Sequence, residues 1–421
     1  MRASDIASDH SSLIPETQNG NGRRLSIFLI IICQIAAMAL WFSASAAVPS
    51  LLDAGQISTD AAAALTSAVQ IGFVAGTLAS AVFGLADRVD SRVLFSAAAV
   101  LGALFNGALL LSGFDHPAAP ALRFATGMCM AGVYPVGMKL AAGWSTGNMG
   151  LLMGALVGAV TLGSAMPHLF YAFVSIGWHI PIMLASGCAI AAAIAIHFVR
   201  LGPKHAKSLT FRWSDLKALL SNKPILLAQG GYLGHMWELY AMWAWLGSFL
   251  VWALPASGMA IELGQASISL ITFLVMGAGA IGCLLAGLLA DRIGRTLTTV
   301  GALILSGGCA LLIGFSVDAG PAVVILIAAI WGMTVVADSA QFSAAIAELA
   351  EPRLIGTVLT LQTSLGFLLT AGSIWLIAQI VDVVGWRYAF IVLAIGPLFG
   401  ALSMMALRRQ PEAIKMAGGR R

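Results

Sequence analysis

Apolar runs of about 20 residues recur from one end of this chain to the other, each long enough to cross a bilayer as a helix. Twelve are read, at roughly 25–48, 61–86, 93–113, 118–142, 149–173, 179–200, 225–252, 265–290, 297–316, 321–346, 355–380 and 387–407. Inside lipid every backbone N–H and C=O must be paired within the structure, so runs of this length are helices. The fold class is therefore an all-α membrane protein with twelve transmembrane helices. Composition agrees, with 59% hydrophobic and 10% charged residues, against about 25% charged in soluble domains.

Charge placement sets the orientation. Counting Lys139 near the end of span 4 with the loop after it, all Lys and Arg residues except Arg123 and Arg387 fall in the two tails or at loops that follow even-numbered spans. The odd-numbered loops carry Asp53, Asp60, Asp115, Glu262, Asp318 and Asp382 instead. By the positive-inside rule both termini are expected in the cytoplasm of a multi-pass plasma (inner) membrane protein. The net charge of +4 is then a topology signal, and no nucleic-acid partner is implied. Residues 1–22 are polar and are read as a disordered cytoplasmic tail. They lack the pattern of a signal peptide, so the first span should stay in the membrane. Cys33, Cys129, Cys188, Cys283 and Cys309 all lie in apolar spans without a CxxC or Cys/His cluster, which reads as packing rather than metal binding.

The chain also repeats itself. Gly287-Leu288-Leu289-Ala290-Asp291-Arg292-Ile293-Gly294-Arg295 joins two apolar spans by a charged turn, and Gly84-Leu85-Ala86-Asp87-Arg88-Val89-Asp90-Ser91-Arg92 is a degraded copy half a chain earlier. Gly177-Trp178 and Gly385-Trp386 repeat before spans 6 and 12. Small residues recur every fourth position on span 2 (Gly72, Gly76, Ser80, Gly84) and span 8 (Gly279, Cys283, Gly287), a pattern that lets helices approach closely. The longest hydrophilic interior stretch, with Lys204, Lys207, Arg212 and Lys217, divides the spans six and six. The expected organisation is an N-tail (1–22), an N-terminal six-helix bundle (23–200), a cytoplasmic central loop (201–224), a C-terminal six-helix bundle (225–407) and a cytoplasmic C-tail (408–421). Repeats of this kind suit alternating access around a midplane site.

The repeated loop resembles the signature of the major facilitator superfamily of secondary transporters, and the resemblance runs from about Leu25 to Leu407. It implies two pseudo-symmetric bundles with spans 1, 4, 7 and 10 around a central cavity. It also implies that Asp87, Arg88 and Arg92, with Gly287, Asp291, Arg292 and Arg295, gate the cavity rather than bind solute. The first copy departs from the pattern: Phe83 holds the leading Gly position and Asp90 replaces the second Gly. Arg123-Phe124-Ala125-Thr126-Gly127 in span 4 is similar to a family motif whose Arg is linked to proton coupling.

Charged side chains deep in a span are costly and mark function or pairing. Arg123, Glu238 and Asp338 are the clearest, and all lie on spans expected to line the cavity. His235 sits one turn before Glu238 and shares its face. Gln341, Thr334 and Trp331 continue a polar stripe through Asp338. These give the candidate coupling set Arg123, His235, Glu238, Asp338 and Gln341. The candidate cavity wall is Gln34, Trp41, Tyr134, Trp237, Tyr240, Trp245 and Trp331, with Met38 and Met130 in register. Lys139 can snorkel to the interface, and His168 near the exterior end of span 5 suits an interface role. An aromatic wall can stack a flat ring and bond its edges, which points to a planar heterocyclic nutrient such as riboflavin, or a similar vitamin.

The reading is a monomeric, proton-coupled importer of a small organic solute, with protons and the lipid bilayer as its other partners. The alternative is proton-coupled efflux; a non-transporting receptor fits less well, as does an uncoupled facilitator. Efflux relatives often carry a Pro after the second Gly of a span 5 motif, and here Ala159 follows Gly158. No phosphate loop, nucleophile constellation or metal cluster suggests an enzyme or a cofactor.

Overall fold

A computed structural model describes residues 16–144, 149–173, 177–203, 222–259, 263–351 and 354–421. Among these residues the chain is helical throughout and has no strand. Ten helical stretches are long and apolar enough to cross a membrane. Span 1 (Glu16–Met38, then a run of turns to Val48–Asp53) and span 4 (Ala119–Met130 and Tyr134–Ala142) complete the twelve, each interrupted partway. The others are span 2 (Thr59–Phe83), span 3 (Ser91–Ser112), span 5 (Met149–Phe173), span 6 (His179–Ala195) and span 7 (Lys223–Ala256). Then follow span 8 (Gln265–Ile293), span 9 (Arg295–Leu312), span 10 (Pro321–Thr334 and Ser339–Leu349), span 11 (Ile355–Val384) and span 12 (Trp386–Ala389 through Ile395–Arg408). The described residues are helical from Glu16 onward, so residues 16–22 of the stretch read from sequence as a disordered tail lie in the first helix. Most of the central loop lies outside the described residues, Lys204, Lys207, Arg212 and Lys217 included.

The two bundles meet along two seams, span 2 against span 11 and span 5 against span 8. Glycine sets how near the helices come. A β-carbon at Gly72 would strike the Phe124 carbonyl, and one at Gly127 the Val69 carbonyl, so spans 2 and 4 touch backbone to backbone. Spans 8 and 10 repeat the arrangement: Gly282 meets the Met333 carbonyl and Gly332 that of Val275.

The loops carrying the repeated motif lie on one face of the bundle, here called the motif face. Its two copies differ in backbone. Gly84 adopts φ +61°, ends span 2 and starts a separate turn over Leu85–Arg88. Gly287 instead stays inside span 8, which continues to Ile293 before Gly294 (φ +93°) turns the chain. The segment after span 12 folds back on the second copy. Ala413 and Met416 are buried, Arg420 donates to the Asp291 carbonyl at 2.6 Å, and the Ala417 N–H donates to Glu348 at 3.1 Å.

Candidate functional site

Seven aromatic rings close the molecular axis. Trp41 and Phe42 come from the turns that interrupt span 1, Phe73 from span 2, Tyr134 from span 4, Tyr240 and Trp243 from span 7, and Phe367 from span 11. Phe73 and Phe367, from opposite halves, have ring centroids 4.5 Å apart; Trp41 is 4.9 Å from Phe73 and 5.3 Å from Phe367. Tyr240 lies 4.9 Å from Phe367 and 5.5 Å from Trp243, and Tyr134 lies 6.3 Å from Phe73. Of the sequence candidates for the wall, Trp41, Tyr134 and Tyr240 join this cluster.

Three other candidates point elsewhere. The Trp237 indole donates to the Val392 carbonyl of span 12 at 3.1 Å. Trp245 donates to Ile374 of span 11 at 2.9 Å. Trp331 donates to Glu238 at 2.7 Å. Each ring fixes a helix pair off the axis. Phe73, Phe367 and Gln70 were not singled out in the sequence. A search for lone amides in apolar spans would have found Gln70, but isolated Phe residues in a membrane helix carry no signal.

Each half holds one charged node among three helices. In the N-terminal half the buried Arg123 guanidinium donates to the carbonyls of Trp41 (2.5 Å) and Leu40 (3.1 Å), to Ser43 (3.2 Å) and to Asn106 Oδ1 (2.8 Å). An Arg cannot shed its proton, and these carbonyls have lost their helical donors where span 1 breaks, so the charge and the break satisfy each other. Asn106 extends the node to Ser186 of span 6 at 3.0 Å. In the C-terminal half Glu238 accepts from Trp331 of span 10 and, at 2.8 Å, from Ser306 of span 9. One turn away, His235 Nδ1 lies 2.8 Å from Asp338 Oδ1, both buried, at the break in span 10. Neither Asp338 Oδ1 nor His235 Nε2 meets a hydrogen-bond partner. Gln341 is not part of this group: it accepts from Arg295 at 2.7 Å near the motif face.

The loop residues are placed in two ways. Arg295 grips Glu348 of span 10 through two bonds of 2.7 and 2.6 Å. Arg92 pairs with Asp90 at 2.9 Å and reaches the Val199 carbonyl at the end of span 6. The Arg92 guanidinium holds the Asp90 carboxyl down at about 2. Arg88, Asp291 and Arg292 are exposed, and the side chain of Asp87 lies outside the described residues. Lys139 donates to Ala86 in the first loop at 2.6 Å. His168 is buried at the seam, near Gly247 of span 7.

Comparison with known proteins agrees with this architecture. Residues 30–373 match the family description "Major Facilitator Superfamily". A hexuronate transporter of Escherichia coli (strain K12) is 22% identical over 404 residues, covering 89% of this chain and 91% of that protein. Among solved structures, the nucleoside transporter NupG superposes with a TM-score of 0.70 at 14% identity, covering 90% of this chain and 99% of that one. A bacterial homolog of the human lysosomal transporter Spinster, inward-facing and occupied, gives 0.71 at 12% identity, covering 92% and 97%. These are transporters of small molecules, not enzymes, and the chain belongs to the Major Facilitator Superfamily.

Proposed function

We propose that the protein imports a small organic solute by alternating access, driven by the proton gradient. The motif face and both ends of the chain are read as cytoplasmic, in the cell's inner membrane, from the placement of Lys and Arg. The observation that carries the reading is the coincidence, on one stretch of span 7, of the axial ring Tyr240 with Glu238 and His235. A solute that parts the rings also disturbs the helix that carries both titratable groups, and that is the linkage a coupled carrier needs. Glu238 and the His235–Asp338 pair are the proposed proton carriers. Arg123 positions the broken span 1, and through it Trp41 and Phe42. The loop residues Arg88, Arg92, Asp291, Arg292 and Arg295, with Gly287, are proposed to hold one access state. The wall of rings favours a solute with a planar part. The relatives' names point to different cargoes, a hexuronate in one and a nucleoside in another, and at such identity neither transfers.

The test is uptake by cells expressing the chain, in auxotrophs for flavins and other heterocyclic nutrients, with a protonophore in parallel. Rescue that collapses with the protonophore is expected. Rescue that survives it would remove proton coupling, and export from preloaded vesicles without uptake would establish efflux instead. Glu238→Gln is expected to flatten the pH dependence of uptake at normal expression; a wild-type profile would take Glu238 out of the coupling role.

A further inference from the structure

Three glutamines on the axis fold without partners. Gln34, Gln70 and Gln362 are no more than 1% exposed, and neither amide atom of any of them meets a hydrogen-bond partner. Buried amides are paired in almost every folded protein, so three on one axis require an explanation.

Their levels follow from the seam. Asp60 with Gln379, Ser67 with Ala371 and Phe73 with Phe367 place spans 2 and 11 in antiparallel register. One further turn toward the motif face brings Thr77 level with Gln362, and the Thr77 hydroxyl is also buried without a partner. Gln34 lies two turns toward the same face from Trp41, its Oε1 against Gly137 of span 4, one turn beyond Tyr134. Thr77 and Gln362 thus lie about one turn beneath the rings of Phe73 and Phe367, and Gln34 lies deeper on the same side, two turns beneath Trp41. Gln70 lies on the other side of the rings.

We propose that Gln34, Thr77 and Gln362 form the hydrogen-bonding site, roofed by these rings, for an uncharged heterocyclic solute that presents both donors and acceptors. This rests on the transport reading above and gives it a substrate class. A carboxamide offers a donor and an acceptor side by side, as does the edge of an amide-bearing heterocycle, while the rings receive its flat face. Charge is directed elsewhere. Arg123 faces the carbonyls of span 1 and Asn106, Lys139 reaches Ala86, Glu238 is held by Ser306 and Trp331, and Asp338 faces His235. A carboxylated or phosphorylated solute would lose its water here against amides and rings without gaining a counter-charge.

The test is binding to the full chain in nanodiscs, by calorimetry, using matched pairs: adenosine and AMP, uracil and orotate, riboflavin and FMN, galactose and galacturonate. At least one neutral heterocycle is expected to bind, with its charged counterpart about tenfold weaker or more. Gln362→Leu should weaken that ligand by a similar factor at an unchanged melting temperature of the free protein, and Gln362→Asn should do the same if the leucine variant does not fold. Binding of a charged member as tight as its neutral partner would overturn the proposal. So would failure of every neutral heterocycle to bind, or full affinity in both Gln34→Leu and Gln362→Leu. Gradient-driven uptake of galacturonate would remove the neutral site and leave the transport reading intact. Neutral binding with no flux of any solute would do the reverse.

Discussion

Asp90 stands where the second loop copy has Gly294, and the exchange changes how the next helix starts. Asp90 caps span 3, accepting from the Arg92 N–H at 2.8 Å and from the Arg92 guanidinium. Gly294 turns the chain through positive φ and has no side chain to cap with. Asp90→Ala is expected to cost about 1 kcal/mol of stability, a usual value for a lost cap, with the ion pair adding little at a solvated site. The Asp90 carboxyl is lowered in the folded protein, so its contribution is complete above about pH 4 and is lost as pH falls through about 2. Thermal melts of wild type and Asp90→Ala should therefore differ at neutral pH and converge in strong acid; a constant gap would remove the carboxylate from the cap. That Asp90 departs from the repeat was visible in the sequence. That it caps a helix was not, because capping depends on where the preceding helix stops, and here that is set by Gly84. The same limit applies to Arg123 and Glu238. Their depth could be read from the apolar runs around them, but the partners could not, since those lie on other helices.

At the scale of elements, twelve spans were legible because the bilayer imposes a length that sequence cannot hide. The interruptions in spans 1, 4 and 10 were not, because their residues are as apolar as the helices around them. Those breaks carry residues of the candidate site: Trp41 and Phe42 lie in one, Tyr134 opens the helix after another, and Asp338 closes the third. The aromatic wall read on span 7 mixed two populations. Tyr240 faces the axis, while Trp237 and Trp245 bond spans 12 and 11, and spacing along one helix cannot tell which neighbour a ring will meet. The small-residue ladders pointed to close approach, and Gly72 of the span 2 ladder shows it against span 4, while on span 8 the reciprocal contact with span 10 runs through Gly282, beside Cys283 of the ladder, and the ladder's Gly279 lies against Gly332. Gly332→Ala should force its methyl into the Val275 carbonyl, at about 1–3 kcal/mol for overpacking. The expected outcome is a lower melting temperature and slower transport, and an unaltered melt would mean that spans 8 and 10 can separate freely. Ser306→Ala removes one donor from Glu238 without touching the axis. It is expected to shift the pH profile of transport while leaving solute affinity within about twofold, on the scale of one lost hydrogen bond far from the ligand; an unshifted profile would mean that the Ser306 bond does not tune Glu238.

For the whole molecule, the decisive question is which contacts must break during a cycle. Each bundle is knitted internally by its own node, Arg123 in one and Glu238 in the other, so each is expected to move as a body. Two hydrogen bonds join the halves along the span 2 and span 11 seam, away from the motif face: Ser67 donates to the Ala371 carbonyl at 3.2 Å and Gln379 to Asp60 at 2.5 Å. On the same side Pro49 packs against Gly247 of span 7. The aromatic cluster lies just inside these contacts, so opening toward that side must part Phe73 from Phe367 and Ser67 from Ala371 together. A disulfide across the seam tests this directly. With Ser67→Cys and Ala371→Cys, oxidation should abolish uptake while solute added from the motif face still binds, and reduction should restore transport. The native cysteines offer little interference, since all are in membrane spans, and Cys33, Cys283 and Cys309 are buried. Transport that continues at full rate in the cross-linked protein would mean that spans 2 and 11 stay together through the cycle. The rings between them would then be a fixed core and not a gate, and the solute path would have to run along the span 5 and span 8 seam.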